Sequence, residues 1–508
     1  MMGSISQARV AEAIFERGIF DLKCMTSSCT TASSTNKVTV SSEAQSGSIS
    51  RKARLKRFLG RVSLNVKSRT QTSGGSSIMK ETKEVQVEKV DGDFATGSVH
   101  DSARRPLYEI TLNMAGGPIC VAALFAGASL TKGLSLVESA LAVISGGLIL
   151  AIYGGIIGAV GMRTGLSTGM LLKRTFGEQG SKVISVLLAL CLVGWYGVQT
   201  GFFGDTIHML YPQGGWLTSS HSAAAWGGVL MLLTALWGYR GLSILSLVAV
   251  PLLFVLSIWG LLTAISLSNI SAYVPASRET LGNGITLVVG ALAVGATTTA
   301  DITRYAKSSG HSWFSCFFAY LVTNSFMLLS GAITAIATGS GDLLAAMLAL
   351  GLGVPALLIL VLGQWTTNDD NLYSSSLAIT ASMPSLKKPY VVVALGLVAT
   401  LSAVVGVANL FVPFLLFLGV AIPPIGGVLI ADFIVVKGTA AERLVTRNYS
   451  VRAFLAWCAG ATAGYLVPIG IPAVNSIVLA FIAYLILSRC FGHVSKGVIS
   501  DDSAISST

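Results

Sequence analysis

Charge is what this 508-residue chain most lacks: Asp, Glu, Lys and Arg together make up 11% of it, where soluble domains carry about a quarter. That excludes an ordinary soluble enzyme. Cysteine is sparse and unpatterned, with seven residues (Cys24, Cys29, Cys120, Cys191, Cys316, Cys458, Cys490) and no C-x-x-C, so neither a disulfide framework nor a metal knuckle is encoded. The cysteines read as small apolar fillers. Histidine is scarcer still: the five (His100, His208, His221, His311, His493) fall in the N-terminal segment, in loops or at the ends of apolar runs, so no buried proton relay is visible. H-E-x-x-H, P-loop and dinucleotide fingerprints are missing, as is the weak alternation of a transmembrane barrel. What is present is 53% hydrophobic residues and a mean hydropathy of +0.72, gathered in runs of about twenty or more residues. The chain therefore reads as an all-α integral membrane protein.

Residues 1–106 differ in kind from the rest, being Ser/Thr-rich, poor in aromatics and carrying a basic cluster (Arg51, Lys52, Arg54, Lys56, Arg57, Arg61, Lys67, Arg69). Such a composition builds no core. It reads as a disordered cytoplasmic tail whose basic cluster touches anionic lipid. Weak helical periodicity from Val10 to Leu22 leaves an organelle targeting segment open, and with it an organelle membrane instead of the plasma membrane; no signal peptide is visible. A transmembrane domain is expected over 107–490 and a cytoplasmic C-terminal tail over 491–508. Twelve spans are expected at 107–130, 136–161, 183–208, 222–239, 243–267, 284–303, 312–338, 355–381, 389–405, 408–436, 452–469 and 472–489. With the basic tail inside, fifteen of the remaining Lys and Arg fall on the cytoplasmic side and two, Lys132 and Arg278, fall outside. This positive-inside asymmetry puts both termini in the cytoplasm, and it accounts for the net charge of +11 without a nucleic-acid partner. No obligate protein partner is evident.

Glycine, at 55 residues, concentrates inside the apolar spans. In span 1, Asn113-Met114-Ala115-Gly116-Gly117-Pro118 places a Pro after two Gly near mid-membrane, where an interrupted helix is expected. Span 6 has a second weak point, Val289 to Ala296, with Gly290 and Gly295. Breaks in spans 1 and 6 are what an inverted five-plus-five repeat predicts, with unwound backbone lining a midplane site. The most polar stretch in an apolar span is Gln364-Trp365-Thr366-Thr367-Asn368-Asp369-Asp370-Asn371 in span 8, a functional-site hypothesis by default. Thr366 and Thr367 sit about 100° apart on a helix, and their hydroxyls can converge on one small hard cation. The competing reading is that each Thr bonds back to its own helix. Asp369 and Asp370 are expected toward the cytoplasmic end of the span. Gly194-Trp195-Tyr196-Gly197 in span 3 offers either a stacking surface for a planar ligand or core packing. Glu138, Asp205, Asp301 and Asp432 lie near span ends, where interface anchoring is the default. Gly165-Leu166-Ser167-Thr168-Gly169 matches the nucleophile-elbow pattern, but the elbow needs a strand before the Ser and a triad around it. Between spans 2 and 3 it has neither, so the chain is not read as an enzyme.

Several stretches in order resemble the nucleobase:cation symporter family 1, most closely its cytosine permeases. They are Arg163-Thr164-Gly165-Leu166-Ser167, Val193-Gly194-Trp195-Tyr196-Gly197, Thr299-Ala300-Asp301, Trp365-Thr366-Thr367-Asn368-Asp369, the run Ala421 to Asp432, and Ile471-Pro472-Ala473-Val474-Asn475. The resemblance covers Leu107 to about Ser488 and not the N-terminal segment. It implies a leucine-transporter-type fold, ten helices in an inverted repeat plus two more. It also implies a sodium site made by the backbone carbonyls of Gly116, Ile119 and Gly363 with the hydroxyls of Thr366 and Thr367, and a nucleobase stacked on Trp195, with Asn368 among the substrate contacts. Two departures stand out: Leu192 occupies a position where cytosine permeases carry Gln, and Ala291-Leu292 replaces their Ser-Phe. The expected activity is symport of cytosine or a related planar heterocycle with sodium and no other cofactor. The alternative is a proton-coupled carrier of a purine, allantoin-like or hydroxymethylpyrimidine-type ring, using Asp369 or Asp370.

Overall fold

The computed structural model describes residues 98–236, 239–267, 273–338, 343–383, 385–436 and 448–490, together with four residues nearer the N-terminus. The chain divides into two units, Met1–Phe94 and Ala95–Thr508. In the first, Leu64–Asn65 (β1) pairs antiparallel with Gln86–Val87 (β2), Leu64 opposite Val87. The expected tail of 1–106 otherwise lies mostly outside the described residues, as does the C-terminal tail of 491–508. Residues 98–106, assigned to that tail from composition, are packed: Val99 is buried and its N–H donates to the Gly165 carbonyl at 3.0 Å. The Arg104 guanidinium donates to the Met162 and Ala306 carbonyls at 3.0 and 2.7 Å.

The second unit is helical. Its elements are α1 (Leu107–Gly116), α2 (Val121–Leu130), α3 (Leu136–Thr164), α4 (Thr168–Phe176), α5 (Glu178–Leu210), α6 (Ser220–Leu236), α7 (Tyr239–Leu267), α8 (Leu281–Thr297) and α9 (Ala300–Thr303). There follow α10 (Ser309–Phe317), a π-helical turn at Phe318–Thr323, α11 (Asn324–Ala337), α12 (Leu343–Ala349), α13 (Gly353–Ser382) and α14 (Lys388–Val404). The last are α15 (Phe411–Ala421), α16 (Pro423–Ile430), α17 (Val451–Leu466) and α18 (Pro472–Cys490). All twelve expected spans are helical, with ends within five residues of the expected ones. Among the described residues, seven helices are long and apolar enough to cross a membrane, and α1 with α2 make an eighth span bent by 58°. α6 and α14 are apolar but shorter. The polar centre of α13 keeps that 30-residue helix out of the apolar group.

Sequence punctuation explains the ends. Ser135 and Glu138 close a capping box on α3, which stops at Gly165 in the left-handed region (φ 68°). Two crossings depend on glycine. A Cβ on Gly127 of α2 would run into the Leu328 carbonyl of α11, and one on Gly331 of α11 into the Leu124 carbonyl of α2. Gly290 of α8 and Gly419 of α15 make the same reciprocal contact. Both broken spans are thus held by close backbone crossings. Three features were not expected: a further interruption of span 10 at Ile422, before Pro423, and the helices α4 and α12 within connections.

Candidate functional site

The interruption of span 1 falls at Gly117 to Cys120, where Cys120 is extended (φ −138°, ψ 157°). Pro118 has no N–H to continue the helix, and its carbonyl accepts from the Cys120 N–H at 2.8 Å. Span 6 departs from helical geometry at Leu292 (φ −124°, ψ 15°), inside the expected weak stretch. Gly363 of α13 packs directly on Val121, the first residue of α2, and on Leu253 of α7. This contact brings Gly363, Thr366 and Thr367 beside the break that carries Gly116 and Ile119.

Both threonines bond back to their own helix: Thr366 Oγ1 donates to the Leu362 carbonyl and Thr367 Oγ1 to the Gly363 carbonyl, each at 2.9 Å. Back-bonding therefore accounts for two threonines and not one. Such back-bonding is compatible with cation binding, because a hydroxyl that has donated its proton presents only lone pairs outward.

Trp195 is buried on α5 and meets two rings of α15 edge-on, Phe414 at 5.4 Å and Phe411 at 6.1 Å between centroids. Further along α5, Phe202 stacks on Phe125 of α2 at 4.0 Å and 8°. Trp195 thus stands in an aromatic wall built from α2, α5 and α15. Leu192, Ala291 and Leu292 are half-buried against the same core.

Asn368 is engaged on the nitrogen side of its carboxamide, while its buried Oδ1 has no hydrogen-bond partner. Its Nδ2 donates to Thr200 Oγ1 at 2.9 Å and to the Tyr196 carbonyl at 3.3 Å, which ties α13 to α5. Asp369 and Asp370 lie just past the middle of α13, in its C-terminal half. Asp369 is buried and accepts from Thr234 Oγ1 of α6 at 2.8 Å, and Thr234 in turn accepts from Trp365 Nε1 at 2.9 Å. Asp370 is exposed.

One residue was missed in the sequence. Gln199 lies one turn beyond Trp195, is 1% exposed, and has no hydrogen-bond partner on either side-chain atom. The signal was available, since positions i and i+4 share a helix face. Gln364 is similar: it is fully buried, Nε2 reaches Thr206 Oγ1 at 3.4 Å, and Oε1 has no partner.

Two acids read as interface anchors do internal work. Asp301 accepts the Thr168 N–H at 2.8 Å at the start of α4. Asp432 is fully buried and accepts from Tyr484 at 2.7 Å and Thr175 at 3.2 Å. Ser167 of the elbow-like pentapeptide caps α4, accepting from the Met170 N–H at 3.4 Å, with no strand before it.

Comparison with known proteins places this geometry. Residues 107–487 match the family described as permease for cytosine/purines, uracil, thiamine, allantoin. The cytosine permeases of Escherichia coli K12 and O157:H7 are each 35% identical over 404 residues, covering 78% of this chain and 94% of theirs. Among solved structures, Mhp1, a nucleobase-cation-symport-1 family transporter, matches in a closed conformation with bromovinylhydantoin bound (TM-score 0.65, 17% identity, 78% of this chain and 95% of that one). Its inward-facing conformation matches at TM-score 0.68 with 16% identity, over 77% and 93% of the two chains. A Na+-coupled sialic acid symporter shares the fold at TM-score 0.54 and 12% identity, over 79% and 92%. Broken spans, an aromatic wall beside them and this similarity over most of the chain converge on one assignment: the protein belongs to the cytosine/purine permease family of membrane transporters.

Proposed function

We propose that the protein is a sodium-coupled symporter that imports a nucleobase or a related planar heterocycle, stacked on Trp195 and read along its edge by Gln199. The observation that carries this reading is the orphaned, buried Gln199 carboxamide one turn from Trp195 and beside the broken helices. Leaving such groups unpaired costs about 1–3 kcal/mol each, which a ligand presenting a neighbouring donor and acceptor offsets. A carboxamide can flip, so it reads donor–acceptor and acceptor–donor edges alike. With Leu192, Ala291 and Leu292 offering no side-chain donor or acceptor, cytosine is one of several bases accepted and not a privileged one. Asn368 supports the site by holding α13 against α5. Sodium is bound by the carbonyls of Gly116, Ile119 and Gly363 with the hydroxyls of Thr366 and Thr367. The curated relatives are cytosine permeases and two fold neighbours are cation symporters, which favours this substrate class and mode of coupling. The Lys and Arg distribution supports cytoplasmic termini, in the plasma membrane or, given the N-terminal extension, in an organelle membrane.

The second reading, proton coupling, is favoured by the two carboxylates at half-depth in α13. Uptake of labelled cytosine, uracil, adenine, hypoxanthine and allantoin into cells lacking their own permeases separates the two. Uptake that collapses in choline but resists a protonophore supports sodium, and the reverse refutes it.

A further inference from the structure

We propose that Asp370 is a way-station for the departing cation, receiving it from the Thr366–Thr367 pair one helical turn further along α13. The inference rests on the sodium reading above. At 100° per residue, Gly363, Thr366, Thr367, Asp370, Ser374 and Leu377 fall within about 60° of one line down the helix. From the cation site to Asp370 exposure rises along that line: Gly363 and Thr366 are buried, Thr367 is half-buried and Asp370 is exposed; beyond it Ser374 is half-buried and Leu377 is 49% exposed. The N-terminal half of α13 turns a different face outward, at Val354 and Leu358, which lie about 160° and about 120° around the helix from Asp370.

Asp370 lies seventeen residues past the start of a 30-residue helix, about 26 Å along it at 1.5 Å per residue. That is just past the middle of the helix, within the hydrocarbon of any bilayer the helix crosses. A Thr-Thr-Asp-Ser stripe facing hydrocarbon there would be strongly disfavoured, so this face lines a wetted passage. On α1, one turn before the break, Asn113 is likewise exposed, and a Cβ built on Gly116 meets nothing within 4 Å. That flank of the cation site is open.

The carboxylate has little to satisfy it. Its described hydrogen bond is from Ser374 Oγ at 3.5 Å. Ion pairs join Arg104 to Asp101, Arg105 to Glu109 and Lys173 to Glu178, none of them on α13. Asp369 faces another way, onto Thr234, so Asp370 acts singly. Residues three and four apart on a helix stand about 5–6 Å apart at Cβ, close enough for a cation to pass from hydroxyl to carboxylate without full rehydration between. The role follows from position: the threonine and carbonyl oxygens set how tightly sodium is held, and Asp370 sets how fast it leaves.

The test uses purified full-length protein in proteoliposomes, with labelled cytosine or the best substrate of the panel and sodium as the probe. Asp370→Asn and Asp370→Ser should lower net sodium-driven uptake by about tenfold or more, while exchange at saturating sodium on both sides stays within about twofold, because exchange does not require the cation to leave. Asp370→Glu should restore most of the net rate. Half-saturating sodium should shift by no more than about threefold, since an exposed charge is screened. Thr366→Ala should instead raise it strongly in both assays. If the wild type takes up substrate equally well without sodium, the sodium reading fails and takes this inference with it. If the wild type is sodium-dependent and both Asp370 variants show normal net uptake, or lose exchange and net uptake together, the inference alone is overturned.

Discussion

Replacing Gln199 by leucine has opposite effects on the empty protein and on substrate binding. In the structure both polar atoms of Gln199 are buried without partners, on a side chain 1% exposed. Each unpaired group costs about 1–3 kcal/mol, so a leucine of similar volume should stabilise the empty transporter by about 1–3 kcal/mol or more. In a chain of this size that is a rise in Tm of a few degrees. Bound substrate loses both of its edge partners, and the ligand edge is then the buried group left unpaired. The loss is again about 1–3 kcal/mol per group, so affinity should fall by about tenfold to a few hundredfold. Thermal unfolding of detergent-solubilised protein, with and without saturating base, reads both effects at once: the apo Tm rises and the ligand-induced shift shrinks. A Gln199→Leu variant that is less stable when empty and binds substrate as well as the wild type would refute the argument, because Gln199 would then be a satisfied packing residue.

Trp195→Ala should weaken binding by roughly 1–3 kcal/mol of lost stacking and open a cavity against Phe411 and Phe414, whereas Trp195→Phe keeps part of the surface; half-saturation of uptake in membranes with equal protein content checks both. Thr366→Ala and Thr367→Ala each remove one oxygen from a shell of about five or six and should raise the sodium concentration for half-maximal uptake, measured with choline as the replacement. Gly331→Leu drives a side chain into the Leu124 backbone and should cost about 3 kcal/mol or more of stability, seen as loss of folded protein in membranes, while Gly169→Leu, whose Cβ position meets nothing within 4 Å, should be silent.

The sequence made the spans legible because hydropathy reports position along the bilayer normal, and the Gly-Gly-Pro and Gly-x4-Gly weak points located both breaks. It was less informative about rotation around the helix axis. Asp369 and Asp370 are neighbours in sequence, yet 100° of rotation sends one onto Thr234 and leaves the other exposed. The resemblance puts Asn368 among the substrate contacts, and no local pattern connects its Nδ2 to its partners Thr200 and Tyr196, more than 160 residues away. Gln199 escaped notice because it stands alone in an apolar span, although its spacing from Trp195 was readable. The interruption at Ile422 precedes a Pro-Pro pair that also occurs at intact helix starts, so composition there was ambiguous. Asp432 was assigned to an interface on its position alone; its burial depends on Tyr484 and Thr175, which no local pattern connects to it.

The two coupling readings place incompatible demands on α13. A proton carrier needs a carboxyl that exchanges its proton with water on each side in turn, and Asp369 is 2% exposed, with its Thr234 partner held in turn by Trp365. Releasing it requires α6 and α13 to part at a contact that also includes the Asn368 bridge to α5. The proposed sodium carrier needs only that oxygens on the stretch of α13 packed at the first break accept an ion and give it up. Thr366 and Thr367 have committed their protons to Leu362 and Gly363, which orients their lone pairs without any rearrangement of the helix. Gly363 is seated on Val121 at the break, so motion of α1 and α2 relative to α13 would alter the proposed ion shell directly. The proposed sodium coupling therefore asks only for contacts already formed, whereas proton coupling through Asp369 requires contacts between three helices to be undone in each cycle.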